Sequence, residues 1–242
     1  ETVGRRADYV LTNSGRRRFE EASKHIYAAH APLWDRRWRL ILAVGDFDPK
    51  ERDRLRRALF WQGFGVLGAD CFVHPSADLT AAFDALVAEG LSDLLDRLMP
   101  LLAADSRSGL SANDAVLVAR AWNLDELGTA YAGFVSTYLP ILAELRGDRQ
   151  VEVDEEDAFL LRTLLIHDYR RLLRRDPDLP VVLLTADWPG QKARLLCKEL
   201  YRRLAPASER HLDKFLTLAD GSAPACDPAY ADRFPQDDPL AS

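Results

Sequence analysis

The sequence predicts an α+β protein in which a small strand-and-helix sandwich precedes a mostly helical half. Three observations carry this. Between residues 34 and 103, short apolar runs alternate with amphipathic stretches, the pattern of a sheet crossed by helices. From Ser111 onward nearly every segment places apolar residues at a 3.6-residue period. The 242 residues are 48% apolar and 29% charged, the composition of an ordered globular chain rather than a disordered one.

Taken in order, Tyr9, Val10, Leu11 and Thr12 are strand formers closed by an Asn13-Ser14-Gly15 turn, and so short a strand needs a partner. Residues 15–30 follow as a helix with Phe19, Ala22, Ile26 and Tyr27 on one face, ended by Pro32. Residues 38–44 read as a short buried strand. Pro49 opens a helix reaching about Gln62, with Leu55, Leu59 and Phe60 apolar, and Gly63 and Gly65 punctuate its end. Residues 65–74 form a second strand or a hairpin. Residues 77–89 are a helix with Leu79, Phe83, Leu86 and Val87 inward and Gly90 just past its end. Residues 91–103 fit a helix by spacing, yet Leu98-Met99-Pro100-Leu101-Leu102 also reads as a strand. The succession is that of a ferredoxin-like sandwich. Residues 105–109 have the composition of a linker.

Helices are then expected at residues 111–122, 124–146, 155–174 and 188–205, with a shorter one at 206–218. Asp176-Pro177-Asp178-Leu179-Pro180 forms a rigid turn between two of them. From Ala219 the tail holds four prolines and five aspartates against one arginine, an extended or poorly ordered segment.

Several function classes fall away. No apolar run approaches the roughly 18 residues of a membrane span. The three cysteines have no C-x-x-C spacing, which argues against zinc or thioredoxin chemistry and fits a reducing, cytoplasmic setting. Neither a nucleophile elbow nor a phosphate-binding glycine loop occurs. Gly63-Phe64-Gly65 reads as a turn into a strand. Asp46 and Asp48 sit at a strand end, where a metal-dependent nuclease could use them, but acidic residues before Pro49 fit a helix cap better. The net charge of -6 argues against a broad basic face.

Two clusters keep a functional reading. Around His167-Asp168-Tyr169-Arg170-Arg171, His167 and Arg171 share a helix face, and Asp168 lies three residues before Arg171. An ion pair with a satisfied histidine is the simpler account; a site for a phosphate-bearing ligand is the sharper one, because guanidinium forks grip phosphates. Trp188 stands at a helix start, where a ring could stack on a ligand, although capping by Asp187 or Thr185 explains the stretch on local grounds. At the front, Arg5 and Arg6 precede a strand as at a hairpin tip, the position from which a wing touches DNA phosphates.

Several stretches together resemble the PaaX family of bacterial transcriptional repressors, which govern phenylacetic acid degradation. They are Leu164-Leu165-Ile166-His167-Asp168-Tyr169-Arg170-Arg171, Arg175-Asp176-Pro177-Asp178-Leu179-Pro180, Asp187-Trp188-Pro189-Gly190 and Cys197-Lys198-Glu199-Leu200-Tyr201. Trp34-Asp35 with Trp38, Gly63-Phe64-Gly65 and Ala121-Trp122-Asn123-Leu124 extend the likeness, as do Tyr9 to Thr12 with Gly15 as a wing strand. The resemblance implies a remnant of an N-terminal winged helix at residues 1–32, a ferredoxin-like domain at 33–108, a helical domain at 109–219 and a tail at 220–242. It implies a homodimeric, non-enzymatic repressor whose DNA-reading helices precede Glu1, with Arg5 and Arg6 on the operator backbone. It also implies an acyl-CoA effector such as phenylacetyl-CoA. On that reading the effector phosphates meet His167, Arg170 and Arg171, and its ring or acyl part meets Tyr169 or Trp188. No cofactor is implied. A metal-dependent nuclease and a protein-interaction module stand as alternatives.

Overall fold

The alternating first half closes into a four-stranded antiparallel sheet. A computed structural model describes residues 12, 15, 16, 19, 23, 26, 27, 33–68, 70–104, 113–147, 153–218, 221–225, 230, 233 and 234. Arg5 and Arg6, the strand at residues 9–11, the linker at 105–109 and most of the acidic tail lie outside the described residues. In chain order the sheet half contains β1 (Arg37–Ala43), α1 (Pro49–Phe60), β2 (Gly65–Val66), β3 (Cys71–His74), α2 (Leu79–Ala88), a 3₁₀ turn (Ser92–Arg97) and β4 (Leu98–Ala104). The strands lie in the order β2-β3-β1-β4 and every neighbouring pair is antiparallel. That is the split β-α-β arrangement of a ferredoxin-like sandwich.

Local chemistry explains the boundaries. Asp48 accepts the amides of Lys50 and Glu51 while the Glu51 side chain accepts the amide of Asp48, a reciprocal cap that starts α1. Asp78 caps α2 in the same way. The ambiguous stretch 91–103 splits into a 3₁₀ turn and an edge strand. Pro100 decides it: it cannot donate inside a helix, but opposite Ile41 on an edge strand no ladder bond is asked of it.

Strand periodicity gives the sheet two apolar faces. Ile41 and Phe72 point to one and pack with Leu55, Leu59 and Leu86 of α1 and α2. Trp38 and Val73 point to the other and meet Val118, Leu179 and Leu183 of the second half. The sheet is thus covered by its own helices on one side and by the helical half on the other.

That half contains α3 (Asp114–Ala121), α4 (Leu124–Arg146), α5 (Glu155–Leu173), a 3₁₀ turn (Val181–Leu183) and α6 (Pro189–Phe215). Leu142, Leu165, Tyr169, Leu200 and Leu204 form the centre of its core. One expectation is corrected: residues 188–205 and 206–218 are not two helices, because α6 runs through Pro206 to Phe215. The proline forfeits the bond to the carbonyl four residues back. Ala207 and Ser208 nevertheless stay buried, and Glu155 takes both Arg210 (3.0 Å) and Lys214 (2.5 Å), which holds the last turns on α5. The tail also departs from expectation at one point: Phe234 is buried in this core.

Candidate ligand-binding cleft

The two halves are joined at a junction built from small residues and one indole. α1 ends with Trp61, and Gly63 then takes a φ of +81°, which an L side chain rarely adopts. A Cβ there would lie 3.0 Å from Nε2 of His74 and 3.2 Å from the carbonyl oxygen of Pro177. At Gly65 a Cβ would come within 2.6 Å of the Trp122 ring, so this strand start must be glycine for α3 to dock. Trp122 ends α3 and donates its indole Nε1–H to the carbonyl of Gly63 at 2.9 Å.

His74 closes the junction from the end of β3. Its Nδ1 accepts the amides of Ser76 (3.0 Å) and Ala77 (2.7 Å), which leaves Nε2 to donate to the carbonyl of Pro177. Burial pushes its pKa down to about 4, with the nearby Arg39 cation acting in the same direction. It is a neutral pin between the sheet and the turn after α5.

Beside this junction lies a cleft of about 760 Å³. Phe60, Trp61 and Trp122 line it together with Arg170, Arg174 and Arg175, which come from the last turn of α5 and just beyond. The Arg174 guanidinium lies 5.6 Å over the Trp61 ring. Arg175 is paired with Glu126, and Arg170 is exposed. Asp176, on the cleft wall, accepts the Tyr131 hydroxyl and the amide of Asp178 (2.8 Å), and Asp178 adopts a φ of +51°. Indole faces beside guanidinium forks suit a planar ring carried on a phosphorylated group.

The structure distributes the five effector residues expected from sequence. Successive helix residues are turned by about 100°, and α5 shows the consequence. Arg170 opens onto the interdomain cleft. Arg171 lines a separate hollow of about 320 Å³ with Phe134, Tyr138 and Asp168, and Asp168 accepts the Tyr138 hydroxyl at 2.8 Å. His167 is exposed on α5, away from both sets of lining residues. Tyr169 points inward, 2% exposed, with its ring 5.7 Å from Phe134.

Trp188 is wedged between Gly128 and Gly190, with its ring 6.0 Å from that of Tyr131. It shares a small cavity of about 40 Å³ with Tyr169 and Arg194 and borders an apolar groove of about 570 Å³. Sequence reasoning missed Trp61, Arg174 and the cleft-facing role of Trp122. The available signal was the pair Arg174-Arg175 at a helix end preceding a D-P-x-L-P turn.

Asp46 and Asp48, the residues of the nuclease alternative, lie in the loop that leads into α1. Asp48 is consumed as a helix cap, and the carbonyl of Asp46 is held by Arg97, which also pairs with Glu51 at 2.8 Å. Among the described residues no group of three or more His, Cys, Asp or Glu is placed to hold a metal, and no helix is long and apolar enough to cross a membrane.

The junction unites stretches far apart in the chain: the glycine turn at 63–65, Trp122, and the turn at 176–178. Comparison with known proteins follows the same division. Residues 31–106 match the PaaX protein central Cas2-like domain, and residues 122–214 match the PaaX-like protein C-terminal domain. The transcriptional repressor PaaX of Escherichia coli strain K12 is 35% identical over 235 residues, covering 96% of this chain and 72% of that protein. A solved structure, the uncharacterized protein Rv0674 from Mycobacterium tuberculosis, is similar in fold, with a TM-score of 0.53 and 21% identity over 82% of this chain and 73% of that one. With both domain types matched in order, and a repressor 35% identical over 96% of this chain, the chain belongs to the PaaX family.

Proposed function

We propose that this chain forms the body of a cytoplasmic transcriptional repressor that binds operator DNA as a homodimer and is released by an aryl-acyl-CoA thioester such as phenylacetyl-CoA, controlling an aromatic-acid catabolic operon. The observation that carries the repressor reading is the 35% identity to the Escherichia coli repressor over 96% of the chain. Arg5 and Arg6 are the wing residues that touch the DNA backbone on this reading.

The effector reading draws support from the interdomain cleft. The phosphates meet Arg170 and Arg174, and the aromatic wall of Trp61 and Trp122 receives a planar ring. Arg171 lines the neighbouring hollow, His167 lines neither, and Tyr169 lies in the core, so we centre the proposed site on Arg170 rather than on the whole run. A ligand seated between the halves can favour one arrangement of them over another, which is what release of DNA requires.

Titration of the protein with phenylacetyl-CoA by calorimetry tests the effector reading, and gel-shift of operator DNA with and without that ligand tests release. Saturable one-to-one binding per chain and loss of the shifted complex are expected. Absence of binding would overturn the effector reading, and wild-type protein that shifts no promoter of an aromatic-acid operon would overturn the repressor reading.

A further inference from the structure

Among the described residues of the acidic tail, Tyr230, Arg233 and Phe234 pack on the body, and there they meet Ile26 and Tyr27. Phe234 is 2% exposed and sits edge-on to Tyr27 (ring centroids 5.1 Å apart) and to Tyr201 of α6 (5.3 Å). The Arg233 guanidinium lies 4.8 Å from the Tyr27 ring and 4.6 Å from the Tyr230 ring, packed against both. Arg202 of α6 donates to the carbonyl of Phe234 at 3.1 Å. Tyr230 in turn joins Glu209 and Arg162, and Arg162 is a buried cation on α5. Ile26 and Phe234 share one core cluster.

Phe234 adopts a φ of +51°, an unusual conformation for a bulky side chain. Such strain persists where the surroundings over-determine a residue, and it marks positions held for a purpose. The tail on either side of this anchor is rich in proline and aspartate, a composition that does not build a core of its own. Chain entropy opposes the docking, and the anchor's contacts offset it.

We infer that Tyr230, Arg233 and Phe234 form a latch that fixes the segment carrying Ile26 and Tyr27 on the helical body. The latch fastens that segment to the body through the side chains of Tyr230, Arg233 and Phe234. Its engagement sets how firmly that segment is held. The consequence for DNA binding rests on the repressor reading above; the latch itself does not.

Hydrogen exchange of the whole chain tests it, comparing wild type with Arg233→Ala and Phe234→Ala. Peptides spanning residues 15–30 are expected to exchange about tenfold faster in both variants, with α4 and the first turns of α5 unchanged. Exchange at residues 15–30 that stays at the wild-type rate overturns the latch. So does a uniform rise across α4, α5 and α6, which would make Phe234 ordinary core. Should Phe234→Ala fail to fold, Arg233→Ala decides, because it removes the cation packed against two rings and its bond to Tyr201 while leaving the buried Phe234 ring in place.

On the repressor reading, Arg233→Ala is expected to change operator affinity at least about tenfold. Faster exchange at residues 15–30 with unchanged operator affinity overturns the regulatory role. Wild-type protein that binds no operator is a failure of the repressor reading, and the exchange data then judge the latch alone.

Discussion

The indole Nε1–H of Trp122 donates to the carbonyl of Gly63 at 2.9 Å and so ties the end of α3 to the turn that enters β2, 59 residues earlier in the chain. The bond spans the two halves of the protein and borders the cleft assigned to the effector. Replacing Trp122 by Phe leaves the carbonyl without this donor. A loss of about 1–2 kcal/mol is expected, measured by urea unfolding followed through the remaining tryptophans.

The glycines of the junction form a graded series. Gly65→Ala would place a methyl 2.6 Å from the Trp122 ring and 2.8 Å from the Ala121 carbonyl, and is expected to cost about 3 kcal/mol or more as an overpacked contact. Gly63→Ala combines a φ of +81° with contacts at 3.0 and 3.2 Å, for about 2–3 kcal/mol. Gly90→Ala has a φ of +73° and open space around it, so only backbone strain remains, about 1 kcal/mol. Thermal melts of the three variants should rank in that order.

His74 makes stability depend on pH in a defined window. In the unfolded chain it takes a proton near pH 6.5; in the folded protein burial delays this to about 4. Between those values the unfolded state binds more protons, so stability rises with pH through the window and the contribution is complete above it. The full span corresponds to about 3 kcal/mol. His74→Gln is expected to flatten the wild-type difference between pH 4 and 6.5, read from denaturation midpoints across that range.

The arginines near the end of α5 should separate by direction. Arg170→Ala and Arg174→Ala are each expected to weaken phenylacetyl-CoA by about ten- to a hundredfold, the loss of a charge-assisted contact of about 1.5–3 kcal/mol. Arg171→Ala, on the neighbouring hollow, should leave affinity within about twofold. Calorimetry on the three variants checks this; an equal loss at Arg171 would move the site to the other face of the helix.

Most helix and strand types, and the entry to α1, were legible because they depend on neighbours within a few residues. Asp48 with Glu51, Asp78, and Gly90 with its positive φ each mark a boundary that local chemistry alone explains. The ferredoxin-like order of the first half followed from the alternation of apolar runs. The side-chain cap expected from Asp187 or Thr185 is not made, since Trp188 takes the N-cap position of α6 with no side-chain cap bond; two further readings failed because packing outweighed propensity. Pro206 stays within α6 because its neighbours are buried and its last turns are ion-paired to Glu155, and Phe234 is drawn from a polar tail into the core.

The candidate site lay beyond the sequence because it is made of residues that only folding brings together. Arg170 and Arg171 are neighbours in the chain, yet the helical turn sends them to different clefts. Trp61 and Arg174 are 113 positions apart and meet at 5.6 Å. His74 is an unremarkable histidine in the sequence, and its burial against Pro177 makes it a neutral pin. Sequence by itself determined which elements exist and which family they compose. Tertiary structure decided which side chains face one another, since that depends on how two sheet faces and four helices pack, a non-local balance that no short window of residues contains.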